Sequence, residues 1–242
     1  MAHTDQQETA AGATVPARRT QQHARRAAVN EAKRAHILAA AREVFQERGL
    51  EGANLREIAR RAGYVAGAIY SYFDSKEAIY GALLAESLER LNAAVAASTH
   101  DGQPARERAR HAARGFYDFY ATNPRDLDLG FYLFGGMRPQ GLTPDLNAAL
   151  NARLRDALAG FGGALRELGM PEPDTRAEVT AFFAHCVGLL LLENTRRIRM
   201  FREDPARLCD AYIEQTIERA VAAAQAAART PARGHARRRK PS

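Results

Sequence analysis

In the run REIARRAGYVAGAIYSYFDSK, Arg56 to Lys76, three small residues at Ala66, Gly67 and Ala68 precede hydroxyls at Tyr70, Ser71 and Tyr72 and an ammonium at Lys76. Such residues do not break bonds; they hold an anion. A helix that opens on small residues can bring its unpaired backbone amides close to a phosphate or a base edge. Hydroxyls and an ammonium on the same short stretch suit the flanking phosphates, contacts that position a protein without reading sequence.

The catalytic alternatives have little to stand on. His185 and Cys186 are neighbours in sequence, but adjacent residues of a helix point about 100° apart and cannot act as nucleophile and base. No glycine-rich phosphate loop, metal-ligand cluster or nucleophile motif accompanies them. Neither catalytic residues, a bound metal nor a cofactor are expected. The two cysteines, Cys186 and Cys209, have no zinc-finger or disulfide-framework spacing, which fits reduced thiols in a cytoplasm.

The elements that must position the Arg56–Lys76 stretch are legible on either side of it. Ile37, Leu38, Ala41, Val44 and Phe45 recur on one face of a helix, with Gly49 placed to stop it. Asn54, followed three residues on by Glu57, forms a variant capping box opening a short helix with Leu55, Ile58, Ala59 and Ala62 inward. Gly63 breaks that helix, and Ala66 to Phe73 form another with Ile69 and Phe73 inward. Asp74 with Glu77 offers a further capping box for a long helix carrying Ile79, Leu83, Leu84, Leu88 and Leu91, to about Ala97.

Later helices are expected at about 104–122 and 126–135, and from Thr143-Pro144 to Leu168. Two more are expected, one capped by Thr175 with Glu178 and running to about Met200, and one from Asp204-Pro205 to about Ala228. No stretch sustains strand alternation, so the fold class is all-α. Four segments follow: a disordered basic arm over 1–29, a helix-turn-helix unit over 30–80, a larger helical domain over 81–228 and a disordered basic tail over 229–242.

Two short helices joined by a glycine turn and buttressed by a preceding helix make the helix-turn-helix arrangement, whose second helix can enter a DNA major groove. The segment from about Ala35 to Leu84 resembles the DNA-binding domain of TetR-family bacterial transcriptional regulators. The matching features are Ile37-Leu38, Phe45, Gly49, Ile58-Ala59, Ala62-Gly63, Gly67, Ile69-Tyr70, Tyr72-Phe73 and Ser75-Lys76-Glu77. The resemblance implies base-facing positions at Ala66, Gly67, Ala68, Tyr70 and Ser71, with Tyr72 and Lys76 on the DNA backbone. Asn54 stands where the family often has threonine, able to cap and to touch a phosphate. Tyr64-Val65 stand where it often has Val-Ser, so the usual serine cap is missing. None of these positions offers a bidentate base contact, so readout leans on thymine methyls, Tyr70 and DNA shape. Arg25, Arg26, Lys33 and Arg34 can add phosphate or minor-groove contacts from the arm.

Similar regulators enclose a ligand cavity in their helical domain and pair their last two helices with a twin's. That implies a homodimer on a palindromic operator, released by a small apolar or amphipathic effector, with repression as the family expectation. Phe116, Tyr120, Phe131, Phe134, Phe182 and His185 are the candidate effector-pocket residues. Aromatics at helical spacing equally make a plain core.

Charge agrees with a DNA partner at the ends of the chain. Of a formal +7, residues 229–242 hold six basic residues and no acidic one, while residues 81–228 hold 17 basic and 19 acidic. The same distribution also suits a DNA-binding scaffold or nucleoid-type protein without a ligand. The first thirty residues hold no apolar block of a secretory leader, and the longest apolar run, Val187 to Leu192, is far short of a membrane span. A cytoplasmic protein without a membrane partner is expected.

Overall fold

The computed structural model describes residues 15–130 and 142–229, with side chains from Thr20 onward. Among the described residues there are helices and no strand. They divide between two compact units, the first ending at Leu83 and the second starting at Leu84.

In the first unit, α1 (Val15–Gly52), α2 (Leu55–Arg61) and α3 (Ala66–Ile69) surround a small core together with the first turns of α4 (Lys76–Ala97). Ile37, Ala41, Val44, Phe45, Ile58, Ile69, Ile79 and Leu83 are each fully buried there, as the apolar spacing requires. Phe45 meets Tyr80 edge-on, ring centres 5.6 Å apart.

Two local readings shift. The arm expected to be disordered over 1–29 is helical from Val15, continuous with the helix expected from Asn30; residues 1–14 lie outside the described residues. Its Ala, Arg, Gln and Glu residues favour helix without an apolar stripe, and almost every described side chain from Thr20 to Ala35 is exposed. The cap of α4 is Ser75 rather than Asp74, since Ser75 Oγ accepts the Ala78 amide at 3.0 Å.

The second unit comprises the rest of α4 with α5 (Ala105–Thr122), α6 (Pro124–Gly130), α7 (Pro144–Glu167), α8 (Glu172–Asn194), a 3-10 turn (Arg197–Phe201) and α9 (Pro205–Arg229). α5 lies at its centre, packed against α7 and α9. Thr143 caps α7 as expected, its Oγ1 accepting the Leu146 amide at 3.3 Å. Thr175 does not cap α8: the helix starts at Glu172 behind Pro171, and the Thr175 hydroxyl, inside the first turn, donates to the carbonyls of Met170 and Pro171. α8 also stops at Asn194, short of Met200, with Arg196 and Arg202 in left-handed conformations on either side of the 3-10 turn.

Charge sets the face that α5 shows to α9. Arg106, Arg110 and Arg114 recur every fourth residue of α5, and Asp210, Glu214 and Glu218 do the same on α9. Arg114 pairs with Asp210 at 2.6 Å, Arg110 with Glu214 at 2.5 Å, and Arg106 with Glu218. Cys186 on α8 and Cys209 on α9 are fully buried reduced thiols with sulfurs 3.8 Å apart. Burial, then the hydrogen bond to Cys209, pushes the Cys186 thiol up.

Among the described residues, α8 is long and apolar enough to cross a membrane by length and composition alone, a departure from the sequence expectation. It packs against α7 and α9 and buries Phe182, Cys186, Leu189 and Leu190, while most of its apolar stretch is not buried.

Candidate nucleic-acid interface

The turn between α2 and α3 is held by its backbone. Gly63 has φ +72°, a left-handed conformation that side chains disfavour, although no neighbour lies within 4 Å of where a Cβ would stand. The Tyr64 amide donates to Ala59 O at 2.8 Å and the Gly63 amide to Arg60 O at 3.2 Å, the paired bonds of a glycine helix stop. On the other side of α2, Asn54 Oδ1 accepts the Glu57 amide at 2.9 Å, so the predicted cap forms and the Asn54 side-chain amide remains on an exposed residue.

α3 is a single turn of α-helix and not the longer segment to Phe73 expected from sequence; beyond Ile69 the chain continues in turns, the Tyr72 and Phe73 amides both donating to Ile69 O. Val65 opens it without any side-chain cap. Ile69 and Phe73 anchor the inner side. Facing outward are Gly67 and Ser71, together with Tyr70, 58% exposed, and Val65, 76% exposed. Ala66 and Ala68 are half-buried, as is Tyr72. Ser71 Oγ donates to Ala68 O at 2.7 Å, which leaves its oxygen to accept.

Gly67 is informative by what it does not touch. Nothing in the protein lies within 4 Å of the position a Cβ would take, and its φ is not one reserved for glycine. Neither packing nor backbone strain calls for glycine here, and in a helix glycine costs roughly 1 kcal/mol against alanine.

Lys76 is bonded within the unit. Its Nζ donates to Leu50 O at 2.8 Å and to Glu51 O and Ala53 O, each at 3.1 Å. An ammonium has three donors, and all three are spent on carbonyls at and beyond the end of α1. Lys76 is thus a clasp within the unit.

Basic residues near the turn differ in how they are used. Arg61 grips Glu47 through both nitrogens at 2.6 and 2.8 Å, and Arg60 binds Glu57. The Arg60 guanidinium beside Glu57 holds that carboxyl below its usual range, as Arg61 does for Glu47. Arg34, expected on the arm, lies over the Phe73 ring at 4.9 Å. Tyr64 is half-buried, edge-on to His36 at 6.1 Å. Arg56 is exposed on α2 with no ion pair among the described residues. Arg56, at the start of α2, is a surface group without a sequence expectation, and Val65, noted in the sequence only for the missing cap, is exposed beside the turn.

Of the expected effector residues, Phe116, Tyr120 and Phe182 are buried at 2% exposure or less in an aromatic cluster, with Phe116 edge-on to Tyr120 at 5.3 Å and Phe161 4.8 Å from Phe182. Phe131 and Phe134 lie outside the described residues. His185 stacks on Tyr212 with ring centres 4.3 Å apart between α8 and α9, its Nε2 buried without a partner; burial lowers its pKa. A groove of about 530 Å³ lies between α7 and α8, lined by none of Phe116, Tyr120, Phe182 and His185.

Comparison with known proteins agrees with the turn geometry. Residues 37–83 match the family described as bacterial regulatory proteins, tetR family. The transcriptional activator FasR of Mycolicibacterium smegmatis is 36% identical over 99 residues, 41% of this chain and 45% of that protein. The transcriptional repressor KstR2 of Rhodococcus jostii is 39% identical over 59 residues, 24% of this chain and 29% of its own length. The chain thus spans less than half the length of these curated relatives. The crystal structure of the regulator FadR from Bacillus subtilis in complex with stearoyl-CoA superposes with a TM-score of 0.58 at 21% identity, over 76% of this chain and 97% of that one, a likeness of fold. The turn, its buttressing helix and the match to the tetR family of bacterial regulatory proteins fall on the same residues, so the likeness to that family is one of this first unit.

Proposed function

We propose that the protein is a sequence-specific DNA-binding transcriptional regulator that acts in the cytoplasm as a homodimer and responds to a small amphipathic effector. The carrying observation is Gly67: an outward glycine that neither packing nor backbone strain requires suits a helix that another surface must approach closely. Around it, Val65 and Tyr70 offer apolar contact to thymine methyls. Ala66, Ala68 and Ser71 keep the approach low. Asn54, Tyr72 and Arg56 supply phosphate donors. Lys76 holds the unit together.

Dimerisation is supported by α8, an apolar helix that leaves Ala177, Ala181 and Ala184 exposed on one side, with no atom within 4 Å of a Cβ added at Gly188. Such a small-residue face suits close packing with a twin helix, and a two-fold dimer reads a palindromic operator. Repression is the reading supported by KstR2, and an amphipathic effector by the stearoyl-CoA complex of FadR.

Gly67→Leu tests the reading directly. The added side chain enters open space, so the melting temperature should hold or rise, while retention of a pool of randomised duplexes on a filter should fall at least roughly tenfold, a change of about 1.4 kcal/mol. Unchanged retention would remove α3 from the interface.

A further inference from the structure

The groove between α7 and α8 is lined on the α7 side by Leu154, Arg155 and Leu158 and on the α8 side by Arg176, Val179 and Phe183. At about 530 Å³ it falls within the roughly 300–1,000 Å³ of small-molecule sites. Its depth has a local cause. Gly162 lets α8 come close, a Cβ there standing 3.3 Å from Val179 and 3.6 Å from Thr175, so the floor is backbone and small side chains.

Charge in the groove is unbalanced. Arg166 is satisfied by Glu172 at 2.9 Å, but Arg155 and Arg176, exposed on opposite walls, have no ion pair among the described residues. Elsewhere in the same unit arginines that face another helix are matched with carboxylates, as Arg110 is by Glu214 and Arg219 by Glu178. Two unmatched guanidinium groups beside an apolar strip are complementary to a molecule with an anionic head and an aliphatic tail. Phe183 in the groove also meets the buried Phe116 edge-on at 5.9 Å, joining this strip to the aromatic core.

We propose that the α7–α8 groove is a binding site for an amphipathic anion, its carboxylate or phosphate head held by Arg155 and Arg176 and its tail laid on Leu154, Leu158, Val179 and Phe183. The site rests on the reading of the protein as effector-responsive and gives that effector a place and a charge. The shared chemistry is the anionic head; a free fatty acid and a phosphate-bearing acyl compound are two sources of it.

The probe is dodecanoate below its micelle-forming concentration, titrated by calorimetry into the full-length protein without DNA, with dodecanol and decyl phosphate alongside. Dodecanoate and decyl phosphate are expected to bind and dodecanol to bind at least roughly tenfold more weakly. Whichever anion binds more tightly identifies the source. Arg155→Ala with Arg176→Ala should cost at least roughly tenfold for both anions. Ala159→Trp, which fills the groove from an exposed position one helical turn beyond Arg155, should abolish binding, and Arg125→Ala, an exposed arginine elsewhere, should leave it unchanged. The site is overturned if dodecanol binds as well as the anions, if the double variant binds them normally, or if neither anion binds. It is equally overturned if the double variant or Ala159→Trp converts a dimer to a monomer by sedimentation, since the groove would then be a subunit contact. Because no DNA is present, failure here leaves the DNA-binding reading standing, and failure of DNA binding leaves this site standing.

Discussion

Lys76 shows what a single residue decides. Its half-buried ammonium closes three carbonyls at and after the end of α1, groups a helix terminus otherwise leaves unpaired. Lys76→Ala should lower the free energy of unfolding by about 1–3 kcal/mol in urea titration. DNA affinity of the folded variant, measured well below its melting temperature, should stay close to that of the parent. A normal unfolding curve with lost affinity would return Lys76 to the phosphates. The sequence could not reveal this because the partners lie 23–26 residues away, whereas the Asn54 cap was legible because its bond closes within three residues. The placement of the α4 cap one residue off, at Ser75, has the same origin: Asp and Ser are both good caps, and only the backbone decides which one the helix begins after.

Elements were legible wherever an apolar stripe met a cap, a glycine stop or a proline, as for α2, α5 and α7. The first half of α1 was not, since its helicity comes from residue propensity without a buried face. Nor was the pairing of α5 with α9, although the arginines and the carboxylates each recur every fourth residue. Such charge spacing usually marks a solvated face, and nothing in one helix names the other. The pairs are partly exposed, so each is worth roughly 0.2–1 kcal/mol. Glu214→Arg sets like charge against Arg106 and Arg110 and should lower stability by roughly 1–2 kcal/mol. Adding Arg110→Glu should restore part of it in a double-mutant cycle. Strict additivity would mean that the α5–α9 pairing contributes nothing to stability.

The candidate site was read from sequence as one surface and one pocket. The exposed stretch around α3 was legible because helix-turn-helix geometry is local, a glycine stop and a short helix within twenty residues. Of the aromatic residues expected to line a pocket, Phe116, Tyr120 and Phe182 are buried; aromatic spacing along a helix says which face is buried but not whether a cavity lies beside it. The groove depends on a glycine in one helix facing a valine in another, a relation no single segment displays. For the molecule as a whole, a dimer with two α3 faces reads two half-sites related by a two-fold axis, while a molecule that binds through scattered positive charge reads none. Selection of bound duplexes from a randomised library at fixed salt, followed by sequencing, separates these two. An enriched inverted repeat is expected of a two-fold operator-binding dimer; binding without any enriched sequence, fading as salt rises, would rule that dimer out.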